Sequence, residues 1–275
     1  MGGNRISLES IIDSGKPVTE ISSKPLATHE NAKLVDVLGA MISKNIRKMP
    51  VIDESGHLKG IVSSIDILDL FGGGEKYSIF KMNRERIDMK ISDIMTRHVR
   101  TIHHKTSIRK ALDVFRHEKM GFFPIVDSKK LVSIVSEWDF MKLVKENTSV
   151  KVREVMVERP TFVRRDYTVY DVAKMMCKGG TRRLPVVENN ILLGVVTPVD
   201  ILSYLKQKGK YSGFFSDKTR IEDIMKRKTV TIDGGSDVSH AVSLMTSMNV
   251  GGLPVIDDEE LVGIITQRDI VDAFI

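Results

Sequence analysis

The stretch "RRLPVVENNILLGVVTPVDIL" (182–202) sets two arginines before a proline, then an apolar run, a turn, and a second apolar run that ends at Thr197 and Asp200. Two short β-rich runs around a turn read as a strand pair. A hydroxyl followed three residues later by a carboxylate reads as the start of a helix. Three further stretches repeat this order: "MPVIDESGHLKGIVSSID" (49–66), "FPIVDSKKLVSIVSEWD" (123–139) and "LPVIDDEELVGIITQRD" (253–269). Their prolines are Pro50, Pro124, Pro185 and Pro254, and their aspartates are Asp66, Asp139, Asp200 and Asp269, spaced 16, 15, 15 and 15 residues apart. The chain is a fourfold repeat, and the repeat decides the fold.

Upstream of each proline the apolar period changes to that of a helix. In "SIRKALDVFRHEKM" (107–120), Ile108, Ala111, Leu112 and Phe115 share one face, and "TVYDVAKMMCKGG" (168–180) has the same pattern. Ahead of the helices stand "ISDIM" (91–95), "VREVM" (152–156) and "IEDIM" (221–225), each ending 29 residues before its proline; Ser22 holds the comparable place 28 residues before Pro50. Each unit reads as short strand, helix, strand, turn, strand, helix. A unit this small leaves an apolar sheet face uncovered, so the copies are expected to pair. A larger repeat overlies the four: "DILDLFGGGEKYSIF" (66–80) aligns with "DILSYLKQKGKYSGF" (200–214), with Tyr77 and Tyr211 each 11 residues after an aspartate. The short polar link "KENTSVKV" (145–152) then divides the chain into modules 1–148 and 149–275, holding units about 15–72, 88–148, 149–208 and 217–275.

Composition narrows the class. The 275 residues are 41% hydrophobic and 28% charged, with a net charge of +6 and a pI near 9.2. That surplus suits an anionic partner and is also ordinary for a soluble protein. No run of 18 apolar residues suggests a membrane span, and the N-terminal stretch lacks the apolar core of a signal peptide. Cys177 is the single cysteine, which excludes an intrachain disulfide and a thiolate metal cluster. A cytoplasmic setting is expected.

Thr197 and Asp200 admit two readings. A carboxylate can accept both vicinal hydroxyls of a ribose, and a hydroxyl beside it at a helix start suits a sugar or an α-phosphate. Alternatively the pair only caps a helix, an effect worth about 1 kcal/mol. A single [ST]-x-x-D favours the cap, and repetition copies caps as faithfully as sites. The two roles are compatible.

The units carrying "GIVSSID", "SIVSEWD", "GVVTPVD" and "GIITQRD" resemble the CBS domain, and two such units resemble a Bateman module. The likeness covers nearly the whole chain. A chain of four units, with "GGGEKY" (72–77) as a connector, is similar to the nucleotide-sensing γ subunit of AMP-activated protein kinase and its archaeal relatives. The resemblance implies an α/β (α+β) fold of four CBS repeats, paired into two Bateman modules in a disc with pseudo-twofold symmetry. It implies a non-catalytic sensor that binds AMP, ADP or ATP in clefts between paired units and acts on a protein partner. No catalytic cofactor, no membrane, and a monomeric disc or a homodimer are expected.

Residue by residue, the resemblance groups Asp269 and Thr266 with Met156, Thr161, Thr181 and Arg182, and Asp139 and Ser136 with Ser22, Leu26, Ile46 and Arg47. Reciprocal sites fall at Ser63/Asp66 and Thr197/Asp200. Arg47 and Arg182, with their neighbours Lys48 and Arg183, stand just before prolines and suit phosphate, because a guanidinium grips its oxygens bidentately. Gly121 and Gly251 hold the equivalent places and would admit a ligand close to the backbone. Ser133 replaces the glycine of the other units, Gly60, Gly194 and Gly263, and is expected to crowd its strand; Trp138 is expected to pack partly buried.

Other signals are set aside. His103 and His104 are adjacent on a strand end and should face opposite ways, so no metal site is expected. Cys177, with Met175 and Met176, reads as core. "GGGEK" (72–76) lacks the ending of a phosphate loop and reads as a helix stop and flexible connector. "KMNRERIDMK" (81–90) reads as charged surface without the aromatic residues of a nucleic-acid module. Three function classes stay open: an adenine-nucleotide sensor with S-adenosylmethionine as a variant ligand, a basic nucleic-acid binder, and a nucleotide enzyme, the last lacking any nucleophile–base set in the sequence.

Overall fold

A computed structural model describes residues 13–82, 87–118, 120–144, 147–209, 211 and 214–274. The signal-peptide reading of the N-terminus, and part of the charged stretch 81–90, lie outside them. The first repeat runs β1 (Thr28–His29), α1 (Leu34–Lys44), β2 (Lys48–Ile52), β3 (Leu58–Ser63) and α2 (Ser64–Leu68), followed by α3 (Tyr77–Met82). The second runs β4 (Ile102–His103), α4 (Ile108–Glu118), β5 (Phe122–Asp127), β6 (Lys130–Ser136) and α5 (Glu137–Met141). The third opens with α6 (Val152–Val155) and β7 (Val157–Glu158), then α7 (Val169–Gly179), β8 (Leu184–Glu188), β9 (Ile191–Val196) and α8 (Pro198–Lys208). The fourth has α9 (Val238–Met248), β10 (Gly252–Asp257), β11 (Glu260–Thr266) and α10 (Gln267–Phe274).

The repetition is physical as well as textual. Helices α1, α4, α7 and α9 each have 11 residues and bury the same four positions: Leu34, Val37, Leu38 and Met41; Ile108, Ala111, Leu112 and Phe115; Val169, Val172, Ala173 and Met176; Val238, Ala241, Val242 and Met245. This i, i+3, i+4, i+7 stripe is what holds each helix to its sheet, roughly 2 kcal/mol for each large apolar side chain. Each antiparallel hairpin carries a bulge at the same place, after Val51, Ile125, Val186 and Val255. Three hairpins turn on two residues at positive φ: Ser128–Lys129, Asn189–Asn190 and Asp258–Glu259. That backbone matches the twist of the strands it joins.

Packing groups the repeats across the chain rather than along it. Among the described residues, one compact unit draws on 13–25, 100–160 and 230–274, and the other on 26–99 and 161–229. The second and fourth repeats therefore share one core, which includes Phe115, Phe123, Phe140, Leu253 and Ile270. The first and third share another, which includes Leu34, Leu38, Phe71, Leu184 and Leu202. The sequence division at 148/149 describes chain order; these cores each draw on both halves. In the first unit Arg268 Nη1 meets Glu137 Oε1 at 3.1 Å, tying α10 to α5.

The leading segments do not stay with the repeats they open. "ISDIM" forms a single turn, Ile91–Asp93, and Thr96 then pairs with Ile61 on β3 of the first repeat. Ser23, which opens the first repeat, pairs with Ile134 on β6 of the second. Likewise Val157 pairs with Ile264 on β11, and Lys226 pairs with Val195 on β9. Each repeat thus lays its leading segment on the last strand of its neighbour in sequence.

This exchange explains the glycines. A Cβ at Gly60 would stand 2.6 Å from the Thr96 carbonyl and 2.9 Å from Met95 Sδ; at Gly194 it would stand 2.6 Å from the Lys226 carbonyl and 3.1 Å from Met225 Sδ. At Gly263 it would meet Met156 Cγ at 3.1 Å. Where the methionine is replaced by Ser22, the glycine is replaced by Ser133, and the two hydroxyls bond at 2.8 Å. Ser133 does not crowd its strand, because the segment above it is smaller. Trp138 packs partly buried, as expected.

Candidate functional site

Each hairpin ends in a hydroxyl whose residue starts the next helix, and the carboxylate three residues on folds back to it. Asp66 Oδ2 accepts from Ser63 N (2.8 Å) and Ser63 Oγ (2.6 Å). Asp139 Oδ2 accepts from Ser136 N and Oγ at 2.9 and 2.8 Å, and Asp200 Oδ2 from Thr197 N and Oγ1 at 2.8 and 2.5 Å. Asp269 Oδ2 accepts from Thr266 N and Oγ1, both at 2.7 Å. The capping reading is therefore correct for all four. It uses one oxygen of each carboxylate and leaves the other, Oδ1, fixed in direction.

The four sites differ in what meets Oδ1. Asp66 Oδ1 is held by Lys76 Nζ, which also donates to the Ile94 carbonyl at 3.0 Å. Asp139, only 2% exposed, accepts from Ser23 Oγ at 2.6 Å and has Lys142 Nζ at 3.6 Å. Asp200 pairs with Lys226 Nζ at 3.1 Å. Asp269 Oδ1 has no hydrogen-bond or ion-pair partner among the described residues. Burial is the first cause that raises the Asp269 carboxyl above its ordinary value; Asp272 and Glu137 add to it, against the Thr266 hydroxyl and N–H.

One position accounts for much of this. Ser23, Lys226 and Val157 are the residues that pair with the end of β6, β9 and β11, each directly after Ser22, Met225 and Met156. The first two reach a carboxylate; Val157 is apolar, 48% exposed, and cannot. Ser23, Lys226 and Lys76 were missed in the sequence, although their register after "IEDIM" and within "GGGEKY" was visible. Within the "GGGEK" connector, Lys76 N donates to Asp69 Oδ1 at 3.3 Å, and Gly72 at φ 121° turns the chain.

Ser22 bonds Ser133 on β6 and Met156 packs against Gly263 on β11, the strands that lead to Asp139 and Asp269. Ile46, Arg47, Lys48, Thr181 and Arg183 are half-buried, while Thr161 and Arg182 are exposed. In the unit 26–99/161–229, Arg183 is pushed down to about 10, first by burial and then by the charge of Arg47, with Asp200 acting against both. Two guanidiniums therefore press on each other there. Gly121 is not open to a ligand: its missing Cβ would stand 2.7 Å from the Glu137 carboxylate, which takes the space. Cys177 is half-buried and its thiol is pushed up to about 12 by burial and by Asp69 and Asp66, consistent with core.

The two histidines depart from expectation. β4 ends at His103, so His104 no longer alternates with it; the rings lie 4.6 Å apart, with Asp127 beside them.

The CBS domain profile matches residues 18–73, 91–146, 152–207 and 221–275. The chain belongs to the CBS domain family. Protein MJ1225 of Methanocaldococcus jannaschii is 28% identical over 274 residues, covering 92% of this chain and 96% of that one. The crystal structure of MJ1225, described as a proposed archaeal homologue of γ-AMPK, superposes with a TM-score of 0.86 at 27% identity, over 94% of this chain and all of that one. A 33.4 kDa protein of a ribosomal RNA operon in Thermofilum pendens is 27% identical over 263 residues, covering 90% of this CBS chain and 87% of that one. No helix among the described residues of this CBS protein is long and apolar enough to cross a membrane.

Proposed function

We propose that this CBS protein is a non-catalytic regulatory sensor that binds adenine nucleotides and conveys their level to a protein partner. The observation that carries the reading is Asp269: a half-buried carboxylate, oriented through Oδ2 by Thr266, with Oδ1 unengaged and an exposed Val157 in register beside its strand. A ribose supplies the missing hydroxyl donors, and an adenine supplies an apolar face for Val157. Asp66, Asp139 and Asp200 are assigned the same chemistry, but a ribose there must displace Lys76, Ser23 or Lys226. The site at Asp269 is therefore first to fill.

Phosphate recognition is assigned to Arg47, Lys48, Arg182 and Arg183. The mutual pressure of Arg47 and Arg183 supports this, since an anion relieves it. Ile46, Thr161, Thr181, Ser22 and Met156 are assigned to the lining around base and sugar. Modules 1–148 and 149–275 are retained as the binding pairs, supported by the exchange of leading segments inside each. A cytoplasmic location follows from this role.

Calorimetric titration with AMP, ADP, ATP and S-adenosylmethionine tests the proposal. Saturable binding of the phosphorylated adenosines, first to one site that Asp269→Ala abolishes, is the expected result. Binding of S-adenosylmethionine alone keeps the ribose assignment and removes the phosphate one. Binding of none of the four, together with salt-steep binding of mixed-sequence nucleic acid, overturns the sensor in favour of a nucleic-acid protein.

A further inference from the structure

We propose that His103, His104 and Asp127 form a binding site for a divalent transition-metal ion of the zinc class. One ligand atom from each of the three residues lies within 4.8 Å of the others. His104 Nε2 stands 3.6 Å from Asp127 Oδ2. That is too long for a hydrogen bond and close to the edge of a tetrahedral shell, about 3.3 Å for metal–ligand bonds near 2.0–2.1 Å.

The backbone builds the arrangement. His103 is the last residue of β4 and pairs with Val126 on β5, while the His104 N–H donates to the Val126 carbonyl at 3.0 Å. The chain then turns, with Thr106 N donating to the His103 carbonyl at 2.9 Å, and this turn swings His104 towards the end of β5. Asp127 closes β5 beside the Ser128–Lys129 turn, and Ser128 Oγ donates to its Oδ1 at 3.1 Å. That bond orients the carboxylate and leaves Oδ2 for an ion, as a supporting shell does around a metal ligand.

Two imidazoles and one carboxylate suit zinc, cobalt, nickel or copper rather than magnesium or calcium, which prefer oxygen alone. His103 and Asp127 are exposed, so water completes the shell. His103 Nδ1 at present accepts a 3.2 Å bond from Lys105 N; rotation of this exposed ring exchanges that contact for the ion. The site is independent of the four aspartates.

The test uses the full chain with no polyhistidine tag, freed of metal by chelation. Zinc titrated calorimetrically should bind at one equivalent, and cobalt should develop visible d–d absorption; excess magnesium should displace neither. His104→Ala should weaken zinc about tenfold or more. The double variant His103→Ala/His104→Ala should abolish binding with unchanged thermal stability in the metal-free state. No saturable zinc binding by the wild-type chain overturns the site, leaving a surface histidine–aspartate pair. Undiminished binding by the double variant places the ion elsewhere and overturns it equally.

Discussion

Asp269 carries its charge at a cost to the ligand-free protein. Its folded carboxyl is raised, so its contribution to stability is fully present below the unfolded value, about 3.9, and lost as pH rises through the folded value. Asp269→Asn, which can still accept from Thr266 N, should therefore raise the melting temperature at pH 7, with the gain shrinking as the pH falls through the folded value towards about 4. An unchanged or lower melting temperature at pH 7 would show that Oδ1 is already compensated. The same variant should weaken adenosine binding, and Asp269→Ala should cost about 1.5–3 kcal/mol, the scale of a hydrogen bond to a charged group. In the wild-type chain, binding should fade on acidification at a higher pH than an ordinary aspartate would dictate. The [ST]-x-x-D pairs were legible in the sequence because capping is local, within three residues. The partner of Oδ1 was not, because Ser23 meets Asp139 from 116 positions away.

Among the elements, the four buried helix stripes could be read directly from spacing, since a helix repeats its face every few residues. The exchanged leading segments could not be read that way, because nothing local says which strand will receive them. Their trace was the matched absence of a Cβ: Gly60, Gly194 and Gly263 lie under methionines, while Ser133 lies under Ser22. Ser22→Met alone should destabilise the protein by about 1–3 kcal/mol through overpacking against Ser133. Adding Ser133→Gly should recover most of that loss, a coupling that chemical denaturation of the two single variants and the double variant measures. Additive effects would separate the two positions. A second element depends on one residue: Asp237 starts α9 and accepts at Oδ1 from Ser239 N (2.8 Å), Ser239 Oγ (2.6 Å), Thr148 N (3.1 Å) and Thr148 Oγ1 (3.0 Å). Burial opposes these bonds, yet they hold the carboxyl down to about 2. Asp237→Ala should lose about 1–2 kcal/mol at neutral pH, the upper range for an N-cap, and less as pH falls from about 4 towards 2.

For the whole molecule, the two cores matter more than the two modules. Repeats one and three share one core, and repeats two and four share the other, so each half of the chain owns half of two cores. A fragment of residues 1–148 keeps its exchanged segments but exposes the apolar faces that α7, α8 and α10 would cover. It should self-associate, and mixing it with 149–275 should restore a species of the full chain's mass in light scattering. A monomeric fragment that melts like the intact protein would refute shared cores. The chain order of the sequence suggested modules because repeats adjacent in sequence also exchange segments; which repeats share a core depends on apolar faces meeting over long separations, and periodicity carries no information about that.

The passage of the backbone between the two compact units also sets a timetable during synthesis. All strands and helices of the core shared by the first and third repeats have been made once residue 229 is released by the ribosome. The other core requires Leu253, Ile265 and Ile270, which are translated later still, although Val18 of the same core is among the earliest described. The nascent chain therefore carries the apolar face of its second repeat uncovered until the fourth repeat has been made, and it is in this interval that a chaperone has the most to shield.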